Sequence, residues 1–204
     1  LSEDKKTFTI TYPKIKAATP ALSRKIEQTI DYEKTNGLNI QEEKTENQWL
    51  EEAYYEVGYN KKGVLSITLY TSGWGAYPSV YSKTVVVDLK TGNRITPQTA
   101  FTNFKGLAAK VKMVQTAEVK KSLEELTKDP ANKDYEPFDF FDNTDFTAKN
   151  LSDFAVDDKG VTFIFDYGFP HVVQVLQPDG GYFFSWAEIK PFIKRDGLLA
   201  KFIR

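Results

Sequence analysis

Cysteine is absent from all 204 residues, which removes thiol nucleophiles, disulfide cross-links and cysteine-ligated metals at once. Histidine occurs once, at His171. One imidazole cannot assemble a multi-histidine metal site, and no serine nucleophile motif lies beside it, so His171 reads as a structural or surface residue. No apolar run approaches about 18 residues, so the sequence holds no candidate membrane span. Gly-rich phosphate loops and dinucleotide fingerprints are missing too, and no cofactor is expected. Charge of one sign is also lacking: the formal net charge is −1, with lysines alternating with acids. That balance gives no field to hold a polyanion, and nucleic acid is not an expected partner. The opening Leu1-Ser2-Glu3-Asp4-Lys5-Lys6 carries no signal-peptide core and is compatible with the mature part of an exported precursor.

What is present is a chain with 41% hydrophobic residues, enough to bury a substantial core as one large domain or two small ones. Thr7 to Tyr12 alternates threonine with large apolar residues and predicts an edge or opening strand that Pro13 ends. Leu22, Ile26 and Ile30 at four-residue spacing predict a short amphipathic helix over 21–31. The polar segment from Asn36 to Gln48 reads as a connection. Trp49 to Tyr59 and Val64 to Tyr70, joined by Asn60-Lys61-Lys62-Gly63, predict a hairpin. Val80 to Leu89 predicts the next strand of a meander.

Leu107, Val111, Val114, Val119, Leu123 and Leu126 give the strongest helical pattern of the chain, over 104–127. The segment 129–146 is too broken by proline for a helix and too aromatic for a solvated linker, so an ordered loop is expected. A second hairpin is read from Asp153 to Tyr167, and a further pair of strands from Val172 to Leu176 and Gly181 to Phe184. Ser185 and Glu188 frame a capping box for a closing helix. The expected fold class is α+β, with antiparallel hairpins and a meander packed against two or three helices.

The residues that stand out are Gly73-Trp74-Gly75-Ala76-Tyr77-Pro78-Ser79. Two glycines around a tryptophan allow unusual backbone conformations while aromatic faces are presented outward. Such a loop is either a binding surface or a bend that packs its own aromatics. The candidate ligand-binding set is Gly73, Trp74, Gly75, Tyr77, Ser79 and Tyr81, joined by Tyr135, Asp139, Phe141 and Asp142 of the second aromatic segment. Trp74 and Tyr77 would supply contact area, the glycines loop shape, and Ser79 a hydrogen bond. Carboxylates offer the competing chemistry. A suitably separated pair drawn from Asp139, Asp142, Asp145 and Asp166 would make a glycoside hydrolase.

The Gly75 to Pro78 loop, the strand and turn Val85 to Asn93 leading through Ile95-Thr96 to Phe101, the helix after it, and Val161 to Tyr167 followed by Trp186 to Ile193 carry a resemblance. In these segments, spanning roughly Tyr70 to Ile193, the chain resembles the extracellular domain shared by RsiV-type lysozyme-sensing anti-sigma factors and PdaC-type peptidoglycan deacetylases. Tyr77 and Ser79 depart from the histidine and asparagine often found in that family, and Gly168-Phe169-Pro170-His171 from its usual turn. The resemblance implies an N-terminal strand-helix-hairpin module over 1–78 and an RsiV-like module over 79–204, forming one compact unit. It implies a non-catalytic binding or sensing role outside the cytoplasm, whether secreted, periplasmic or lipid-anchored. The partners it implies are a lysozyme-like protein or a cell-wall glycan. A hydrolase of envelope polysaccharide and a lysozyme-binding inhibitor or sensor are the alternatives.

Overall fold

The first helix is set by its ends. Thr19 accepts the Leu22 amide at 3.2 Å and Pro20 occupies the first turn, where no amide partner is needed. In the computed structural model, which describes residues 7–45, 49–128, 141 and 144–204, this helix is α1 (Pro20–Thr29). It buries Ile26 and presents Ile30 just beyond its end. The polar segment expected to be a plain connection is flanked and filled by short helices. Asp31 caps α2 (Tyr32–Asn36), Gly37 closes it at φ 71°, and α3 (Ile40–Thr45) follows. The reason α3 escapes pattern reading is Glu43, a buried acid on the inward face whose carboxylate accepts the Leu50 amide at 2.7 Å.

Four strands form the first sheet in the order β1 (Thr9–Ile10), β2 (Leu50–Lys61), β3 (Val64–Trp74) and β4 (Pro78–Asp88). β1 pairs parallel with β2, so the sheet is mixed, where antiparallel pairing throughout was expected. Lys62 and Gly63, at φ 50° and 68°, make the two-residue turn between β2 and β3. Both residues in left-handed conformation match the twist of the flanking strands. Leu65, Ile67 and Leu69 of β3 face Ile26, Ile30, Tyr32 and Val85 in one apolar core. On the opposite face Thr68 and Thr84 share a hydrogen bond at 3.0 Å.

Two compact units divide the chain. One runs to Thr96 and also takes Ala155–Asp158; the other holds Pro97–Phe154 and Lys159–Arg204. The boundary expected between residues 78 and 79 falls where Trp74 pairs with Pro78 and Gly73 with Ser79, inside the β3–β4 hairpin. Cutting there would unpair a strand from its own sheet. Within the first unit Asp158 accepts hydrogen bonds from the Tyr59 hydroxyl at 3.0 Å and from Lys61 at 3.2 Å. Lys61 and Tyr59 hold its carboxyl below the ordinary value of 3.8, and burial with the Asp158 contact pushes the Tyr59 phenol up to about 12.

The second unit begins with α4 (Pro97–Ala100) and α5 (Phe104–Lys128), the long helix that its apolar spacing predicts. Leu107, Ala108, Val111 and Gln115 form its buried stripe. A second sheet, whose first strand straddles the division of the chain after Phe154, orders β5 (Phe154–Val156), β6 (Gly160–Ile164) and β7 (Gly181–Ser185). Ser185 then caps α6 (Trp186–Ile189) with the full capping box. The helices thus outnumber the two or three expected. Val172 to Leu176 is no strand: a 3-10 helix spans His171–Leu176. Gly168 turns the chain at φ 64°, and Pro170, lacking a ladder donor, accepts the Val173 amide at 2.9 Å. Of the ordered loop expected over 129–146, only Phe141 and the residues from Thr144 lie within the described residues.

The core of this unit is aromatic, with Phe101 against Phe154 and Phe163 at 5.2 and 5.5 Å between ring centres. One polar cluster enters it. Tyr182 donates to Glu118 at 2.8 Å and its oxygen lies 2.6 Å from that of Tyr167. Gln115, 3% exposed, donates to the Thr144 carbonyl and accepts the Phe146 amide, both at 2.7 Å. Burial, then the contact with Tyr167, raises the Tyr182 phenol far above its usual range.

Replacing Tyr182 by Phe leaves Glu118 and Tyr167 without that hydroxyl, and urea denaturation should show a loss of about 1–2 kcal/mol. For Asp158 the folded carboxyl titrates below its unfolded value. Its contribution is therefore present above pH 3.8 and lost as pH falls through the lower folded value. Thermal melts at pH 6 and pH 3 should accordingly show a smaller acid-induced drop for Asp158→Asn than for the parent chain.

Candidate functional site

β3 and β4 stay paired to their last residues, so the loop read from sequence is a tight bend of Gly75, Ala76 and Tyr77 at the end of a long hairpin. The Gly75 amide donates to the Tyr77 carbonyl at 3.2 Å across it. Neither Gly73 nor Gly75 has positive φ. Their expected role as conformational exceptions is replaced, at Gly73, by a need for space. A Cβ there would stand 2.1 Å from the Trp49 carbonyl oxygen and 2.8 Å from its indole. Glycine lets Trp49 lie across β3. Gly75 has nothing closer than 3.8 Å.

Trp49 then ties the hairpin end together. Its carbonyl accepts the Trp74 amide at 3.0 Å, its indole N–H donates to Ser79 Oγ at 3.1 Å, and its ring sits 5.5 Å from that of Tyr81. Ser79 therefore uses an acceptor site of its hydroxyl internally. On the opposite face the Trp74 indole donates to Glu51 at 2.7 Å, which fixes the ring while leaving it 55% exposed. Tyr77 is 54% exposed, and Val80 and Tyr81 are each 59% exposed. By register Trp74 and Val80 are open on one face of the hairpin and Tyr81 on the other, with Tyr77 in the bend. This many exposed large apolar side chains at one hairpin end are the unusual observation, where scattered ones would need no explanation.

The same face of the sheet carries Tyr54 stacked on Tyr70, 4.9 Å apart and 9° from parallel. Tyr70 donates to Glu56 at 3.2 Å, and burial, then that contact, raises its phenol. Trp74, Pro78 and Val80 share this face by register. Glu51, Glu52 and Glu56 stand exposed along β2 beside it. The arrangement presents aromatic surface edged by carboxylate acceptors.

The other sequence-predicted residues do not join the hairpin set. Phe141 lies in the second unit, edge-on to Phe169 at 5.1 Å and Tyr167 at 6.4 Å, a packing role. Phe146, at the end of the loop expected over 129–146, is 2% exposed. Tyr135, Asp139 and Asp142 lie outside the described residues. Of the other candidate acids, Asp145 pairs with Lys112 and Asp166 accepts the Gly168 amide in a turn. Sequence reading missed Trp49, Glu51, Tyr54 and Tyr70 as partners of the hairpin. One signal was available: a glycine inside a β-patterned run marks a close backbone approach.

No family model and no curated protein matches the sequence. Among solved structures, a DUF3298 family protein from Bacteroides fragilis is 13% identical, with a TM-score of 0.45, over 89% of this chain and 67% of that one. A DUF3298 family protein from Pseudomonas aeruginosa is 17% identical, with a TM-score of 0.41, over 70% of this chain and 62% of that one. DUF3298 is a domain of unknown function. Among the described residues no helix is long and apolar enough to cross a membrane, and no group of three His, Asp or Glu is placed to hold a metal ion.

Gly73→Ala should cost at least about 2 kcal/mol, because the contacted atom is backbone and cannot swing away. Gly75→Ala should stay within about 0.5 kcal/mol. Paired denaturation curves of the two variants separate a need for space from a need for flexibility.

Proposed function

We propose that this chain is a non-catalytic binding module of the bacterial cell envelope, acting outside the cytoplasm, that captures a protein partner with the β3–β4 hairpin end. The observation that carries this reading is the exposure of Trp74, Tyr77, Val80 and Tyr81 on a braced hairpin. Trp and Tyr dominate the energetics of protein interfaces because they bring large rigid area at low entropic cost. Here the cost is lowered further, since Glu51 and Trp49 already hold the rings and backbone in place. The exposed acids of β2 favour a basic partner. The RsiV-type resemblance names lysozyme as the first probe.

A cell-wall glycan is the second reading. Its support is the Trp74–Glu51 and Tyr70–Glu56 pairs, in which an aromatic ring lies beside a carboxylate that could accept a sugar hydroxyl. Against hydrolysis stands the local engagement of Asp145 and Asp166 in an exposed ion pair and a turn.

Titration with purified lysozyme and co-sedimentation with peptidoglycan sacculi distinguish these readings. Trp74→Ala and Tyr77→Ala together should weaken capture of the protein probe by about thirtyfold or more while leaving the melting temperature unchanged. Sedimentation with sacculi but no lysozyme binding would assign the glycan. Release of soluble fragments from sacculi, abolished by Asp145→Asn or Asp166→Asn, would overturn the non-catalytic reading.

A further inference from the structure

The first unit contains a recess built by a failure of strand pairing. β1 follows β2 only as far as Thr11, whose amide donates to the Ala53 carbonyl at 2.8 Å. Pro13 then removes a ladder donor. The next two inward amides are taken by α1 in place of β2: Ile15 donates to Glu27 at 3.0 Å and Ala17 to Ser23 at 3.0 Å. Segment 13–18 is therefore drawn onto the helix, while β2 continues along the sheet. Between them opens a groove of about 500 Å³, within the size range of small-molecule sites.

The chemistry of its lining is one-sided. Ile26, Leu65 and Ile67 lie sealed beneath it, and the apolar surface open to the groove is that of Leu22, Ile15 and Ala17 facing Tyr55 and Val57. Val57 is 50% exposed, so an apolar wall reaches the surface. At the mouth stand Lys14, Lys16 and Lys90, all exposed, and no Asp or Glu lines the groove. In a chain of net charge −1, three cations and no acid around an apolar trough is a local departure. Glu27, the nearest acid in the 13–18 clasp, is engaged by the Ile15 amide.

We propose that this groove binds a free medium-chain fatty acid, with the acyl chain between Leu22, Ile15 and Ala17 on one side and Tyr55 and Val57 on the other, and the carboxylate at the Lys14, Lys16 and Lys90 mouth. An apolar trough gains with each methylene buried. A carboxylate gains charge-assisted contact with an ammonium group that is otherwise solvated. A cationic head of the same chain length meets repulsion at the same place, so the lysines select the sign of the ligand. The site is separate in its residues from the Trp74 hairpin, and its failure leaves the function proposed above untouched.

The test uses the whole chain and a series of octanoate, decanoate and dodecanoate below their micellar concentrations, followed by calorimetry. Binding should saturate at one molecule per chain and tighten about fourfold per added methylene. The double variant Lys14→Glu with Lys16→Glu, both at exposed positions, should weaken dodecanoate at least tenfold with an unchanged melting temperature. Ala17→Phe fills the trough and should abolish uptake, whereas Trp74→Ala should leave it unaltered. No saturable uptake, equal uptake of dodecyltrimethylammonium, or indifference to the Lys14→Glu/Lys16→Glu change would each overturn the proposal.

Discussion

The crossing of Trp49 over Gly73 is the contact on which the first sheet's exposed end depends. It places a tryptophan carbonyl against the β3 backbone and an indole against Ser79, joining the start of β2 to both strands of the hairpin. Without that brace, three residues of bend, a few pairs of ladder bonds and the Glu51 contact would have to hold Trp74 and Tyr77. A two-stranded ribbon is marginal by itself in water. The constraint is steric and local, yet it fixes the backbone from which the exposed aromatic side chains project.

The two units solve the problem of burying polar groups differently. In the first, the core of α1 against β2 and β3 is aliphatic, and Glu43 reaches from α3 to cap the Leu50 amide at its margin. In the second, phenylalanines fill the interior, and Gln115, Tyr167, Tyr182 and Glu118 are threaded among them with their hydrogen bonds satisfied. Such a network specifies packing more tightly than interchangeable apolar rings do, because a misplaced hydroxyl in that environment loses its partner altogether. It also explains why the aromatic content of the chain is a poor guide to binding surface. Among the described residues of the second unit, Phe101, Phe146, Phe154, Phe163, Phe169 and Phe184 are spent inside.

Much of this was legible in the residues. The hairpin at Lys62-Gly63, the long helix α5, the Ser185–Glu188 cap and the α+β class all follow from spacing and turn chemistry, which are local properties. What was not legible depends on contacts distant in sequence. Glu43 is an acid that looks solvated until Leu50 is brought beside it. Val173 belongs to a β-prone run that Pro170 and Gly168 fold into a 3-10 turn. The candidate loop was found, but its supports were not, since Gly73 announces only that some backbone comes close and not that Trp49 and Glu51 are the residues that lie there. The groove beside Lys14 was invisible for the same reason: it arises where two strands part company.

That parting has a consequence for how the molecule coexists with its own copies. Beyond Ala53, no described residue pairs with β2 at Tyr55 or Val57 on the side that β1 abandons. Unsatisfied main-chain donors and acceptors along a sheet margin invite a foreign strand to add itself. Here the margin is interrupted by the register shift between Val57 and Tyr59 and carries Glu56 and Lys61 alongside. An incoming straight strand finds only two or three matched positions before the ladder goes out of step. The irregularity thus stands against fibrous self-assembly along this margin.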